Sequence, residues 1–436
     1  MRRLALGLLA IGMLLSIAFY NGYPTIFSDT GGYLWSGAFF RAIPPFRAPG
    51  YAVFARVTSL ELSAWFIVLV QGAIVVYVLF KACDYLVDGQ DKFRHSFMVC
   101  AVLFLTLLTS LPWLVSLILP DVFAGLLFLS AFLLAFDGGL RTAERLVLAA
   151  ILGLSAASHS SLLPIGLAFV ATILVFSAVI RASSGLAPKK FIWAWLIVPV
   201  IAAGLATASL NLSMNLGFRL APAKNDFLLA GLFGDGLAGD FLRENCPSQP
   251  LVACRYLSNL PKTENEFLFV HPMLKNIDQR EIDAIVDGTL RAFPLKFLAI
   301  SARNTMRQLI SFRTGDEIAT FGEQDWNTKV IMRVLPADFL AFRADKQMRG
   351  RLLPLVDAAA RLDAVAFWIS LAVCALFAWL GRYPQINKLF YAALMFSLIN
   401  AAVCATVAGV FDRYQSRVAW LVPFCFAVYL GAWVSE

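Results

Sequence analysis

Two aspartates stand where an apolar chain has little use for charge. Asp29 lies in Ser28-Asp29-Thr30-Gly31-Gly32-Tyr33, and Asp121 directly follows Pro120. A carboxylate costs about 2.5–3.5 kcal/mol at the centre of a membrane segment on insertion scales, and one nearer the interface still seeks a partner. Each could be only a helix N-cap, a role that aspartate favours. Asp29 could also be a general base for a hydroxyl group. Arg47 sits in Arg47-Ala48-Pro49-Gly50-Tyr51 with prolines on both sides. Its guanidinium can hold a phosphate through two parallel hydrogen bonds, or it can snorkel to lipid headgroups. His159, in Ser158-His159-Ser160-Ser161, reads either as a polar junction residue or as a ligand. Asp412-Arg413-Tyr414, with Arg417 one turn on, precedes the last apolar run. Interface anchoring and anion binding are both open for it.

The elements that must position these residues are membrane helices. The chain has 436 residues, 60% hydrophobic and 15% charged. Soluble domains run at about 45–50% apolar and about 25% charged. A soluble enzyme, a disordered chain and a fibre are excluded, and the expected class is an all-α polytopic membrane protein. At about 20 apolar residues per crossing, ten spans are expected, near 4–20, 63–81, 96–118, 121–136, 146–158, 161–181, 192–211, 364–381, 389–409 and 417–434. The first, preceded by Arg2 and Arg3, lacks a clean small-x-small site and is read as an uncleaved helix.

Twelve basic residues fall in the short segments on the N-terminal side, Lys189 and Lys190 among them, and five on the other. That bias places both termini in the cytoplasm. It also explains the net charge of +8 without nucleic acid as a partner. A bacterial inner membrane is the expected location.

Residues 1–211 form an N-terminal module of about seven spans, and 364–436 a C-terminal module of about three. Between them, residues 212–363 carry 19 of the 36 basic and 18 of the 28 acidic side chains, enough chain for a mainly helical outer domain. Asp278 is expected to cap one helix there, and Asp338 another. Cys246 and Cys254 fall in this region. An oxidising compartment favours their disulfide, which would stabilise by roughly 2–3 kcal/mol. In the outer loop 21–62, Tyr33, Leu34, Trp35, Ala38, Phe39, Ala42 and Ile43 recur at helical spacing, so a short interfacial helix is expected.

The sequence has no phosphate-binding glycine loop, no dinucleotide fingerprint, no HExxH and no Gly-x-Ser-x-Gly. With three histidines, a histidine-rich metal site is excluded. The order of the remaining motifs resembles the GT-C superfamily of integral-membrane glycosyltransferases. An aspartate follows span one in a glycine-containing aromatic loop (Asp29), with a Pro-Tyr element after it (Pro49 to Tyr51). An acid opens span four (Asp121). An Arg-Tyr pair precedes a late span (Arg413, Tyr414), and a soluble region lies in the second half. Relatives often carry a basic residue after span five, where this chain has His159.

The resemblance implies a sugar donor linked to polyprenyl phosphate and inversion at the anomeric carbon. Asp29 is then the expected base, and Asp121 its helper. Tyr33, Arg47, Tyr51, His159, Arg413 and Tyr414 are the expected substrate contacts. The acceptor would be a glycan, a glycolipid or a protein, with membrane lipid around the site. Asp29 and Asp121 could share a divalent cation such as magnesium or manganese, although nothing demands one. A lipid or solute transporter or flippase and a non-catalytic scaffold stay open as alternatives. The clustering of acids on one side, rather than along a path through the spans, speaks against transport.

Overall fold

The computed structural model describes residues 2–41, 47–184, 192–248, 251–315 and 318–435. Ala42, Ile43, Lys189 and Lys190 lie outside the described residues. Among those described the protein is all-helical, with one isolated bridge between Thr25 and Leu117. The helices are α1 Arg2–Leu14, α2 Ser16–Asn21, α3 Thr30–Phe39, α4 Pro49–Ser59, α5 Ala64–Leu86, α6 Asp91–Leu108, α7 Leu111–Ser116, α8 Val122–Phe136, α9 Thr142–Ser158, α10 Leu162–Ser184 and α11 Ile192–Ser213. The polar region holds α12 Lys224–Gly234, α13 Leu237–Asn245, α14 Met273–Asn276, α15 Gln279–Ala292, α16 Pro294–Ile310, α17 Trp326–Val334 and α18 Phe339–Ala344. The chain ends in α19 Leu353–Trp379, α20 Pro384–Val407, α21 Asp412–Ala419 and α22 Leu421–Ser435.

Among the described residues, five helical segments are long and apolar enough to cross a membrane: Ala64–Leu86, Trp193–Ser213, Leu353–Trp379, Pro384–Val407 and the joined Asp412–Ser435. Shorter apolar helices cover Phe93–Leu108, Val122–Phe136 and Leu162–Phe176. Several of the expected spans are therefore not single long helices. The first breaks between α1 and α2. The third breaks at Thr109 and Ser110, ahead of Pro112 in the first turn of α7, because proline has no amide to donate and opens rather than continues a helix. The expected helix of the first loop is α3, which is followed by a second helix, α4, with Pro49 in its first turn.

Most of the membrane helices share one apolar core. A second core lies in the polar region, where Leu229, Phe233, Phe241, Phe267, Ile285 and Val286 are buried together. The disulfide Cys246–Cys254 closes beside it. Asp278 caps α15 as expected, accepting from the amide of Glu281 at 2.8 Å. Asp338 does not cap the helix that follows it. Its carboxylate accepts from the amide of Ala64 at 2.7 Å, from the Ser63 hydroxyl and from Tyr23 Oη. It thus caps α5 from 274 residues away and fastens the polar region to the membrane helices.

Candidate active site

A backbone staple brings the two aspartates together. The Thr25 amide donates to Ser116 O at 2.9 Å, and the Ile118 amide donates to Thr25 O at 3.0 Å. The Thr30 hydroxyl adds a bond to Ile118 O at 3.1 Å while accepting from the Phe27 amide. The turn before α3 is thereby fixed to the segment before α8. The polar region braces the same turn from the other side. Asn327 Oδ1 accepts from the Gly31 amide at 2.6 Å, and its Nδ2 donates to Ser28 O at 3.2 Å.

Asp29 and Asp121 both occupy N-cap positions, yet neither side chain makes a cap hydrogen bond. Both turn to guanidinium groups instead. Asp29 Oδ1 accepts from Arg47. Its Oδ2 accepts from Arg413 Nη1 at 3.1 Å. Arg413 Nε donates to Asp121 Oδ2 at 3.1 Å, so one guanidinium bridges both carboxylates. Arg417, fully buried one turn further along α21, lies 3.8 Å from Asp121 Oδ1. Three guanidinium groups thus face two carboxylates, leaving one positive charge in excess. Burying ion pairs costs free energy unless the pairing is close and complete. Here it is incomplete: Arg47 Nε, Arg413 Nη2 and Arg417 Nη1 are buried without a hydrogen-bond acceptor. Those of Arg47 and Arg413, which line a cavity, suit an anionic ligand, whereas Arg417 Nη1 faces the equally unpaired Asp121 Oδ1.

Arg417, on α21, is held by a polar set from α20 and the turn between α9 and α10. Its Nη2 donates to Asn400 Oδ1 at 2.7 Å and to Ser161 Oγ at 3.0 Å. Ser161 Oγ lies 2.9 Å from His159 Nδ1, which also accepts from the Ser161 amide. That amide makes Nδ1 an acceptor and puts the ring proton on Nε2. Burial, together with the nearby guanidinium groups of Arg417, Arg413 and Arg47, holds the imidazole well below the usual histidine value. His159 is therefore neutral and offers a hydrogen bond rather than a charge.

A cavity of about 410 Å³ opens on this cluster. Its polar lining includes Asp29, Arg47, His159, Ser161, Arg413 and Tyr414. The remaining wall is largely apolar. Leu167, Leu220, Phe269 and Val407 line it and are themselves 49%, 51%, 60% and 39% exposed, so the cavity has an apolar mouth. Arg413 lies near two aromatic rings, 4.5 Å from the centroid of Phe27 and 5.8 Å from that of Tyr414.

Three of the residues expected at the site lie outside the lining of this cavity. Tyr33 and Tyr51 do not line the cavity. Both are buried, with ring centroids 5.1 Å apart, and Tyr51 Oη donates to Gln71 at 2.7 Å. They form the packing behind the site. Asp121 is only 1% exposed and lies behind Arg413, lining a separate small cavity of about 30 Å³ with Ser110, Thr314 and Ser416. It contacts Arg413 and does not line the larger cavity.

Two glycines permit the close packing. A Cβ on Gly50 would collide with the carbonyl oxygen of Ala157, at the end of the helix that presents His159. A Cβ on Gly125 would collide with the Trp420 ring. No family model, curated protein or solved structure matches this chain.

Proposed function

We propose that this protein is an integral-membrane glycosyltransferase that moves a sugar from a polyprenyl-phosphate donor to a hydroxyl acceptor. The supporting observation is the bridge Asp29–Arg413–Asp121 at an apolar-mouthed cavity, with orphan guanidinium donors beside a carboxylate. A lipid-linked donor needs all three parts: an apolar passage for the polyprenyl chain, cations for the phosphate and a base for the acceptor. The ten-span arrangement, with both termini in the cytoplasm of a bacterial cell and residues 212–363 outside, belongs to the same reading.

The reaction is a single displacement. The acceptor oxygen bonds to the anomeric carbon as the bond from that carbon to the phosphate oxygen breaks. The electron pair leaves with the phosphate, and the acceptor proton passes to Asp29. Both oxygens of Asp29 are held by guanidinium groups before the donor arrives. Phosphate binding draws Arg47 away from Asp29 and leaves one oxygen free to take the proton. Arg413 stays on Asp121, which keeps it aimed at the developing charge. His159 contributes a neutral hydrogen bond, and Tyr414 packs over Arg413.

A divalent cation does not fit this donor set. Both carboxylates are held by guanidinium groups, the cluster has a net positive charge, and no group of three metal-ligating side chains occurs among the described residues. The acceptor is a glycan, a glycolipid or a protein.

The test is transfer by the purified full chain from the polyprenyl-phosphate sugars of its own membrane. Asp29→Asn is expected to lower the rate by roughly 10²–10⁴-fold, the usual contribution of a general base. Unchanged transfer would remove the mechanism.

A further inference from the structure

α16 belongs to the polar region by sequence, but its surroundings change along its length. At its start, Phe293, Phe297 and Ile300 pack on the second core. At its end, Gln308 is fully buried and exchanges two hydrogen bonds with the backbone of Phe411. Its Nε2 donates to Phe411 O at 2.8 Å, and its Oε1 accepts from Phe411 N at 3.0 Å. Between these points α16 packs along α20, one of the membrane-length helices.

Phe312, two residues past the helix, has its ring 4.6 Å from Phe367 and 6.5 Å from Trp368, both on α19. Phe367 lies about 21 Å from the start of α19, whose 27 residues span about 40 Å at a rise of 1.5 Å per residue. The hydrocarbon of a bilayer is about 30 Å thick. With α19 close to upright, Phe367 falls within the hydrocarbon whichever end of that helix protrudes. The contact therefore carries the end of α16 to membrane depth.

The side of α16 turned away from α20 is apolar. Leu295, Leu298, Met306 and Ile310 are 78%, 62%, 63% and 64% exposed. With the exposed Ala302 between them, their spacing of three or four residues makes one stripe along the helix. The neighbouring α19 and α20 also turn apolar residues outward, with Val365, Ile369, Met395 and Leu398 exposed. Lys296, Arg303 and Arg307 follow one edge of the stripe. Long cationic side chains in that position lay their stems on apolar surface and reach for phosphate headgroups.

The geometry points to a helix embedded in the membrane: α16 faces the acyl chains of the leaflet on the side of the polar region, and its cations meet the phospholipid headgroups. Residues 212–363 are then not a wholly soluble domain. They send one helix into the bilayer, and that helix grips Phe411, two residues before Arg413. The leaflet thus helps to hold the turn that carries the bridging arginine. This inference stands whether or not the protein transfers sugar.

The test uses the full chain in nanodiscs of phosphatidylethanolamine and phosphatidylglycerol. Nitroxide labels go singly onto Leu298→Cys, Met306→Cys and Ile310→Cys in a Cys100→Ser background, because the other free cysteines are buried. Power saturation compares collisions with oxygen, which concentrates in lipid, against a water-soluble nickel chelate. The expected result is an oxygen-to-nickel ratio above one at all three positions, highest at Ile310. Greater nickel access at Leu298 and Met306 would put the stripe in water. Low access to both reagents would mean that another protein surface covers it. Either result overturns the inference.

Discussion

Arg413 Nε lies 3.1 Å from Asp121 Oδ2 across 292 residues of sequence, and the same guanidinium holds Asp29. Asp121 thus touches Asp29 only through Arg413, whose guanidinium bridges the two carboxylates. Arg413→Met would leave two carboxylates without their shared cation. Breaking a buried pair in this way costs about 3–5 kcal/mol. Adding Asp121→Asn should recover part of the loss, because it removes one uncompensated charge. A double-mutant cycle on thermal unfolding in detergent would read the coupling. Simple additivity of the two losses would contradict the bridge.

Two groups give stability opposite dependences on pH. Burial pushes the Asp345 carboxyl up from its usual value to about 6. Its folded state favours the proton more than the unfolded chain does. Stability from this group is therefore greatest at low pH and falls as pH rises from about 4 to about 6, by up to about 3 kcal/mol for a shift of two units. His159 runs the other way. Its folded state disfavours the proton, so stability falls as pH drops below the usual histidine value near 6.5. Asp345→Asn should remove the first dependence and His159→Gln the second, each seen as a changed slope of melting temperature against pH.

Close packing at Gly50 is expected to be intolerant of one added methyl group. The nearest obstacle is a backbone carbonyl, that of Ala157, which cannot rotate aside as a side chain can. Gly50→Ala should cost about 1–3 kcal/mol and disturb the His159 junction. An unaltered unfolding temperature would mean that the two helices separate more easily than their contact implies.

The Cys246–Cys254 disulfide closes a short loop beside the second core. Replacing both cysteines by serine should destabilise the polar region by roughly 2–3 kcal/mol. Limited proteolysis would place the effect, with cleavage rising within 212–293 and little change in the membrane helices.

The charged centre was legible because the chain is so apolar. Asp29, Asp121, Arg47 and Arg413 stood out against spans with few charges, and the structure brings them into one cluster. Their side-chain directions were not legible. Both aspartates have the position of an N-cap, and only the arginines arriving from elsewhere show that neither uses it. Tyr33 and Tyr51 look the same in sequence whether they face a ligand or a core. Arg417 was visible one turn after Arg413, but its partner Asn400, a polar residue within an apolar run, could not be tied to it from sequence. The long-range anchors left little trace. Asp338 capping α5, Asn327 bracing the Asp29 turn and Gln308 gripping Phe411 are each set by tertiary packing rather than by neighbours in sequence. The broken first and third spans show the same limit, because hydropathy averages over a break that local geometry imposes.

The most direct test of the account is made in cells. Surface glycans and glycolipids would be compared by mass spectrometry in cells lacking the protein, in cells restored with the wild-type chain and in cells restored with Asp29→Asn at matched level. The account expects one sugar residue to be missing without the protein, restored by wild type and still missing with Asp29→Asn, and the lost mass would name the sugar. Full restoration by Asp29→Asn would contradict the base, and an unchanged glycan profile in cells lacking the protein would contradict the transferase itself.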